Sequence, residues 1–192
     1  FHNYFDMPIQ HIDDKMLKRM KRGADSKRIK EQLRLMRSKD SFVRTSFIVG
    51  HPKESDEEFE NLLAFAKEFK FDRVNIFAYS DEEDTAAFGM DEKIGKRVLN
   101  ARIKKLEKVV HESTISRLRE QVGKKALLVI EGESSEHELL LGARKLECIG
   151  EIDGEVLINE SEVSGLKIGD IAEALITDIA GDKLVASVTK LI

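Results

Sequence analysis

The spacing of apolar residues changes period partway along the chain. Before about residue 121, stretches with helical period alternate with short extended runs; after Gly123 the apolar residues come only in short Ile-, Leu- and Val-rich runs. YFDMPI, residues 4–9, predicts a short strand that delivers Gln10 and His11 just past its end. Met16, Leu17 and Met20 mark a helix over about 13–20 that Gly23 breaks. Ser26 is the expected cap of a second helix, in which Ile29, Leu33 and Met36 recur with helical period. Phe42, Val43, Phe47, Ile48 and Val49 surround an Arg44-Thr45-Ser46 interruption. They predict a parallel strand covered on both faces. Gly50 and Pro52 end it, and Ser55 with Glu58 has capping-box spacing. Phe59, Leu62, Leu63, Ala66 and Phe69 then give the following helix one apolar stripe. Val74, Ile76 and Ala78 alternate with Asn75, Phe77 and Tyr79 along a third strand, and a long helix is expected over about 92–121.

Gly123 marks the expected boundary between two domains, 1–121 and 122–192. In the second, runs at 126–130, 139–143, 155–158, 171–176 and 184–188 are separated by turns containing Gly, Ser or Asp. Five short strands in so little chain predict a small closed barrel or sandwich resembling an oligonucleotide-binding barrel. In the first, strands alternate with helices, the pattern of an α/β domain whose ligands bind beyond the carboxyl ends of the strands.

Composition narrows the class. With 41% hydrophobic and 35% charged residues in 192, the chain has the make-up of a soluble globular protein, and no run approaches the length of a membrane span. It opens at Phe1 without an initiator Met, so we expect it to be part of a longer polypeptide. Its single cysteine, Cys148, excludes an internal disulfide and a multi-cysteine cluster within this chain, and a cytoplasmic setting is the expected one. The five histidines, His2, His11, His51, His111 and His137, lack metal-ligand spacing.

Net charge is −4, unevenly shared: from Val122 onward seven basic residues face fourteen acidic ones, a balance of −7 that leaves +3 for the preceding residues. An acidic barrel is poorly suited to gripping RNA and better suited to a basic protein partner, unless the acidity serves solubility alone. The basic run over 15–37 reads as the solvated face of two helices, and Asp81, Glu82, Glu83 and Asp84 as a solvated acidic loop without the spacing of a calcium site.

Gln10 with His11, Gly50 with His51, and Tyr79 with Ser80 should share one mouth. The glycine turn and the helix start after it either form a plain connection or offer free N–H groups to an anionic ligand. Arg44 is likewise open to two readings, paired with a structural carboxylate or reaching a ligand carboxylate with its rigid fork.

YFDMPIQH, RTSFIVGHPKES, NIFAYSDEEDTAA and EIDGEVLI, in that order, resemble the C-terminal half of radical S-adenosylmethionine (SAM) methylthiotransferases over nearly the whole chain. The resemblance implies the last strands of an open, TIM-like radical SAM barrel followed by a TRAM domain, a small β-barrel. It implies SAM and two [4Fe–4S] clusters, whose ligands this chain lacks, so it should be inactive alone. Gln10, Arg44, Ile48, Gly50 and Tyr79 are the implied cofactor-pocket lining, with no catalytic residue and no metal ligand in this chain. The Gln-His ending and the consecutive acids of YSDEED are similar to the branch that modifies an aspartate β-carbon in the twelfth small-subunit ribosomal protein. The expected partner is therefore that protein, held by the acidic barrel. A tRNA-modifying relative and a non-catalytic adaptor are the competing readings. The family usually has GFPGET where this chain has GHPKES, so Lys53 stands at a customary glycine. Loss of neighbouring barrel strands predicts self-association through the edge of the first strand.

Overall fold

A computed structural model describes residues 3–38, 41–83, 85–137 and 140–192. His2, Asp84 of the acidic loop and Leu139 at the start of one expected strand lie outside the described residues. Residues 3–113 and 114–192 form two compact units.

The first unit runs β1 (Tyr4–Asp6), α1 (Asp14–Arg19), α2 (Ser26–Arg37), β2 (Phe42–Val49), α3 (Asp56–Phe69), β3 (Arg73–Ala78) and most of α4 (Lys96–Arg119). Its strands form a parallel sheet in the order β1-β2-β3. Val43, Thr45, Phe47 and Val49 on one face of β2 are buried under α1, α2 and α3, together with Met16, Leu17, Leu33, Leu62 and Phe71. The opposite face is less covered, which corrects the expectation of a strand enclosed on both sides: Phe42, Arg44 and Ile48 are only half-buried. Apolar residues on both faces do not distinguish a sandwiched strand from one lining an open cavity.

The first strand is shorter than YFDMPI suggests. Pairing stops at Asp6, and Gln10 rejoins β2 by a single bridge to Phe47, its backbone at φ 72°. Ser26 is not the cap of α2. Asp25 is, because its carboxylate accepts the Arg28 N–H at 2.8 Å and Ser26 is already helical.

The second unit is a closed five-stranded barrel, β4 (Lys125–Glu133), β5 (Leu141–Lys145), β6 (Val156–Ser161), β8 (Lys183–Leu191) and β7 (Ile171–Ala180) in that order around the ring. A short helix, α5 (Gly150–Asp153), which periodicity did not suggest, precedes β6. Every second residue points inward. Leu128, Ile130, Ala172, Ala174, Ile176, Leu184, Ala186 and Val188 make an apolar interior, with small alanines facing larger aliphatics. Closure leaves this sheet without an edge strand. No helix among the described residues is long and apolar enough to cross a membrane.

Candidate functional site

The site is the open face of the β1-β2-β3 sheet and the loops beyond its carboxyl end. The register stacks that face in rows: Tyr4 beside Phe42, then Asp6, Arg44 and Arg73, then Ser46 and Asn75, then Ile48 and Phe77. Tyr4 and Phe42 stack with centroids 5.3 Å apart and planes 6° from parallel. Phe77 is 53% exposed, an apolar ring held open at the far end.

Beyond Ile48 the chain turns sharply. Gly50 has φ 85°, a left-handed backbone that favours glycine, and a Cβ there would also press on the Leu99 side chain, 2.5 Å from its Cδ1. Lys53 has φ 65°, a conformation that the family's customary glycine would adopt freely; here a lysine takes it at a cost of about 1 kcal/mol. Its N–H donates to the Glu92 carbonyl at 3.1 Å.

A buried ionic network fixes this turn. The Glu54 side chain is fully buried; its Oε2 accepts the Gly50 N–H at 3.0 Å and Arg102 Nη1 at 2.7 Å. Arg102 Nη1 also donates to the Glu54 carbonyl, and Nη2 donates to Asp56 at 2.7 Å. Its guanidinium lies 5.4 Å from the Phe59 ring centroid. His11 Nε2 approaches Glu54 Oε1 at 3.3 Å without the alignment of a hydrogen bond, while Nδ1 accepts the Asp13 N–H at 3.1 Å. Ser55 and Glu58 complete a capping box at the start of α3, and Glu58 also takes a hydrogen bond from Arg19. Burial pushes the Glu58 carboxyl up, but Arg19 and Ser55 more than offset it, and the net shift is downward.

Part of the expected offer of N–H groups to an anion is therefore filled from within. Gly50 N donates to Glu54, Ser55 N to Glu58, Glu58 N to Ser55 and Glu54 N to His51 O.

The expected site residues divide into two places. Gln10 lies against the end of β2, its N–H donating to Ser46 O at 2.8 Å and its carbonyl accepting Ile48 N–H at 2.9 Å. Gln10 Oε1 is buried with no hydrogen-bond partner. Tyr79 N donates to Val49 O, its ring meets His51 edge-on at 5.3 Å, and its hydroxyl donates to Asp81 at 2.9 Å. Burial and that bond both raise the phenol's pKa. Gln10, Ile48, Gly50 and Tyr79 thus gather around the end of β2. Arg44 stands apart: four residues upstream of Ile48 on the same face, about 13 Å along the strand, with Nε 3.7 Å from Asp6 Oδ2. Glu54 and Arg102 were not among the expected residues. Arg102 was legible, since it falls on the helical stripe of Leu99, Ile103 and Leu106.

Residues 2–66 match the family model of the Radical SAM superfamily. Coproporphyrinogen III oxidase (HemN) from Escherichia coli, described as a radical SAM enzyme, superposes with a TM-score of 0.52 at 15% identity, over 74% of this chain and 39% of that one, which shows a shared fold. The α/β unit thus shares its fold with a radical SAM enzyme and carries the Radical SAM match at its start. Two curated relatives narrow this: the ribosomal protein uS12 methylthiotransferase RimO of Campylobacter jejuni is 54% identical over 97% of this chain, and that of Wolinella succinogenes 52% over 98%. Over nearly its whole length the chain is similar to part of these RimO proteins. It spans 42% and 43% of the length of these two relatives.

Proposed function

We propose that this chain serves a radical SAM methylthiotransferase acting on ribosomal protein uS12, and that it contributes the cofactor-facing wall and a substrate-docking barrel. The carrying observation is 54% identity over 97% of the chain to a relative so named. In this reading residues 1–121 are the C-terminal part of a TIM-like radical SAM barrel, and 122–192 are a TRAM domain. SAM and an iron–sulfur cluster supply the radical that activates an aspartate β-carbon. The single cysteine cannot ligate such clusters, so the chain is inactive alone.

The residues present suit SAM. The unpartnered Gln10 Oε1 can accept an N–H such as an adenine amino group, and the cost of leaving a buried acceptor unpaired supports this reading. Ile48 offers an apolar surface beside it, and Gly50 and Tyr79 close the end of the strand. Arg44 lies deeper on the same face.

The barrel's −7 charge supports electrostatic docking of a basic ribosomal protein, in a cytoplasmic setting. The outer edge of β1, terminal in the described sheet, suits self-association. The test is mass spectrometry of uS12 after incubation with the full-length, cluster-reconstituted protein, SAM and a sulfide source. A methylthio adduct on one aspartate is expected; modification of tRNA with uS12 untouched would overturn the reading.

A further inference from the structure

From Asp13 to Arg37, across α1 and α2, ten basic residues face four acidic ones, a balance of +6. Three of those acids are engaged at helix starts: Asp13 accepts the Lys15 and Met16 N–H groups, Asp14 accepts Ser26 N–H at 2.7 Å, and Asp25 caps α2. Two of the cations are neutralised from other elements, Arg19 by Glu58 and Arg37 by Asp72. Lys15, Lys18, Lys27, Lys30 and Arg34 form no ion pair among the described residues. On α2 the cations follow the helix. Lys27, Lys30, Arg34 and Arg37 recur at i, i+3, i+7 and i+10, one stripe about 15 Å long. It borders α3, where Lys30 Nζ lies 5.9 Å from the Phe65 ring centroid and the Arg37 guanidinium 5.1 Å from that of Phe69. Like charges at these spacings weaken a helix, so the stripe does nothing for the fold. Glu31 on the same helix, and Glu68, which lines the groove with Lys30 and Arg34, form no ion pair among the described residues either. With seven exposed or half-exposed cations outside any ion pair, the excess over these two acids stays positive.

Resting on the proposed function, we propose that the Lys27–Lys30–Arg34 stripe binds the phosphate backbone of the RNA against which the ribosomal-protein substrate is assembled. Ile29 and Leu33 turn the other side of α2 into the core, and the helices cover the sheet face opposite the candidate site. The stripe is therefore free of the cofactor wall. Lysine and arginine on an exposed helix neutralise phosphates and release their counterions without reading bases, so the contact has no sequence preference. A lipid surface is the poorer match, because Leu35 alone is an exposed large hydrophobic among the described residues of the two helices. Such a surface by itself holds RNA with a Kd on the order of 10⁻⁴–10⁻⁶ M at physiological salt, which reinforces recognition of the protein substrate without replacing it.

The experiment measures binding of the full-length reconstituted protein to protein-free small-subunit ribosomal RNA, to isolated uS12 and to anionic phospholipid vesicles, each at several salt concentrations. Lys27→Gln, Lys30→Gln and Arg34→Gln together should weaken RNA binding about tenfold and flatten its dependence on log salt by about two. Binding of isolated uS12 and of SAM should stay within about twofold, which also shows that the variant is folded. The control removes three exposed lysines of α4, Lys96→Gln, Lys104→Gln and Lys108→Gln, and should cost RNA binding far less. An equal loss from the α4 variant would reduce the effect to net charge and overturn the proposal, as would RNA binding that the α2 variant leaves unchanged. Vesicle binding that matches RNA binding and falls with the α2 variant would assign the stripe to a membrane and overturn it too. A wild-type protein that fails to bind isolated uS12 would overturn the functional reading, a result separate from loss of the RNA contact with uS12 binding intact.

Discussion

The two units solve the problem of burial in opposite ways. The barrel hides an apolar interior and keeps its charges outside, whereas the α/β unit buries His11, Thr45, Glu54, Glu58, Asp72 and Arg102. Buried ionic groups are seldom the cheapest route to stability, since an apolar replacement of the whole set is often neutral or better. Their concentration in one unit teaches that the α/β unit is shaped to hold a particular backbone path at the end of β2. The barrel is shaped simply to be closed.

That contrast is most easily broken at Arg102. Arg102→Met leaves Glu54 buried without its cation and should destabilise the α/β unit by about 3–5 kcal/mol, and adding Glu54→Gln should recover much of the loss. Hydrogen exchange checks both parts: protection should fall in β2 and α3 but not in β4 or β7. An apolar truncation should do the reverse. Ile130→Ala removes buried methylenes from the barrel interior and should cost about 2–4 kcal/mol, seen as lost protection confined to β4, β5 and β7.

Acid should distinguish the units more gently. Glu155 accepts from the Ser135 hydroxyl at 2.6 Å and from Lys183 at 2.9 Å. Burial pushes its carboxyl up, but Ser135 and Lys183 more than offset that and hold it at about 2. A depressed carboxyl contributes stability that is present above its unfolded value of 4.5 and is lost as pH falls toward 2. Because the cluster is partly solvated, the contribution is about 1–2 kcal/mol. Glu155→Gln should flatten the acid limb of the barrel's unfolding profile over that window, followed by circular dichroism.

The smallest effect is at Lys53. Lys53→Gly relieves a left-handed backbone and loses a half-exposed ion pair with Glu92, for a net gain of about 0.5 kcal/mol in a thermal melt.

Much of this was legible in the chain. Strict alternation at Leu128 and Ile130, and at Ala172, Ala174 and Ile176, announces a barrel because inward residues obey period 2. The Ser55–Glu58 capping box is local chemistry and reads directly. What was not legible depends on partners distant in sequence. Glu54 looks like one more loop acid until Arg102, 48 residues later, is brought against it. The openness of the Arg44 face depends on what covers the sheet, which β2 cannot encode alone. Asp25 rather than Ser26 caps α2 because both residues are good caps and the carboxylate happens to reach Arg28.

The measurement that tests the account most directly is a titration of the chain against uS12 and against a tRNA anticodon stem-loop at several salt concentrations. The account predicts selective binding of uS12 that weakens as salt rises, with the acidic barrel meeting a basic protein. Tighter binding of the stem-loop than of uS12 would contradict it.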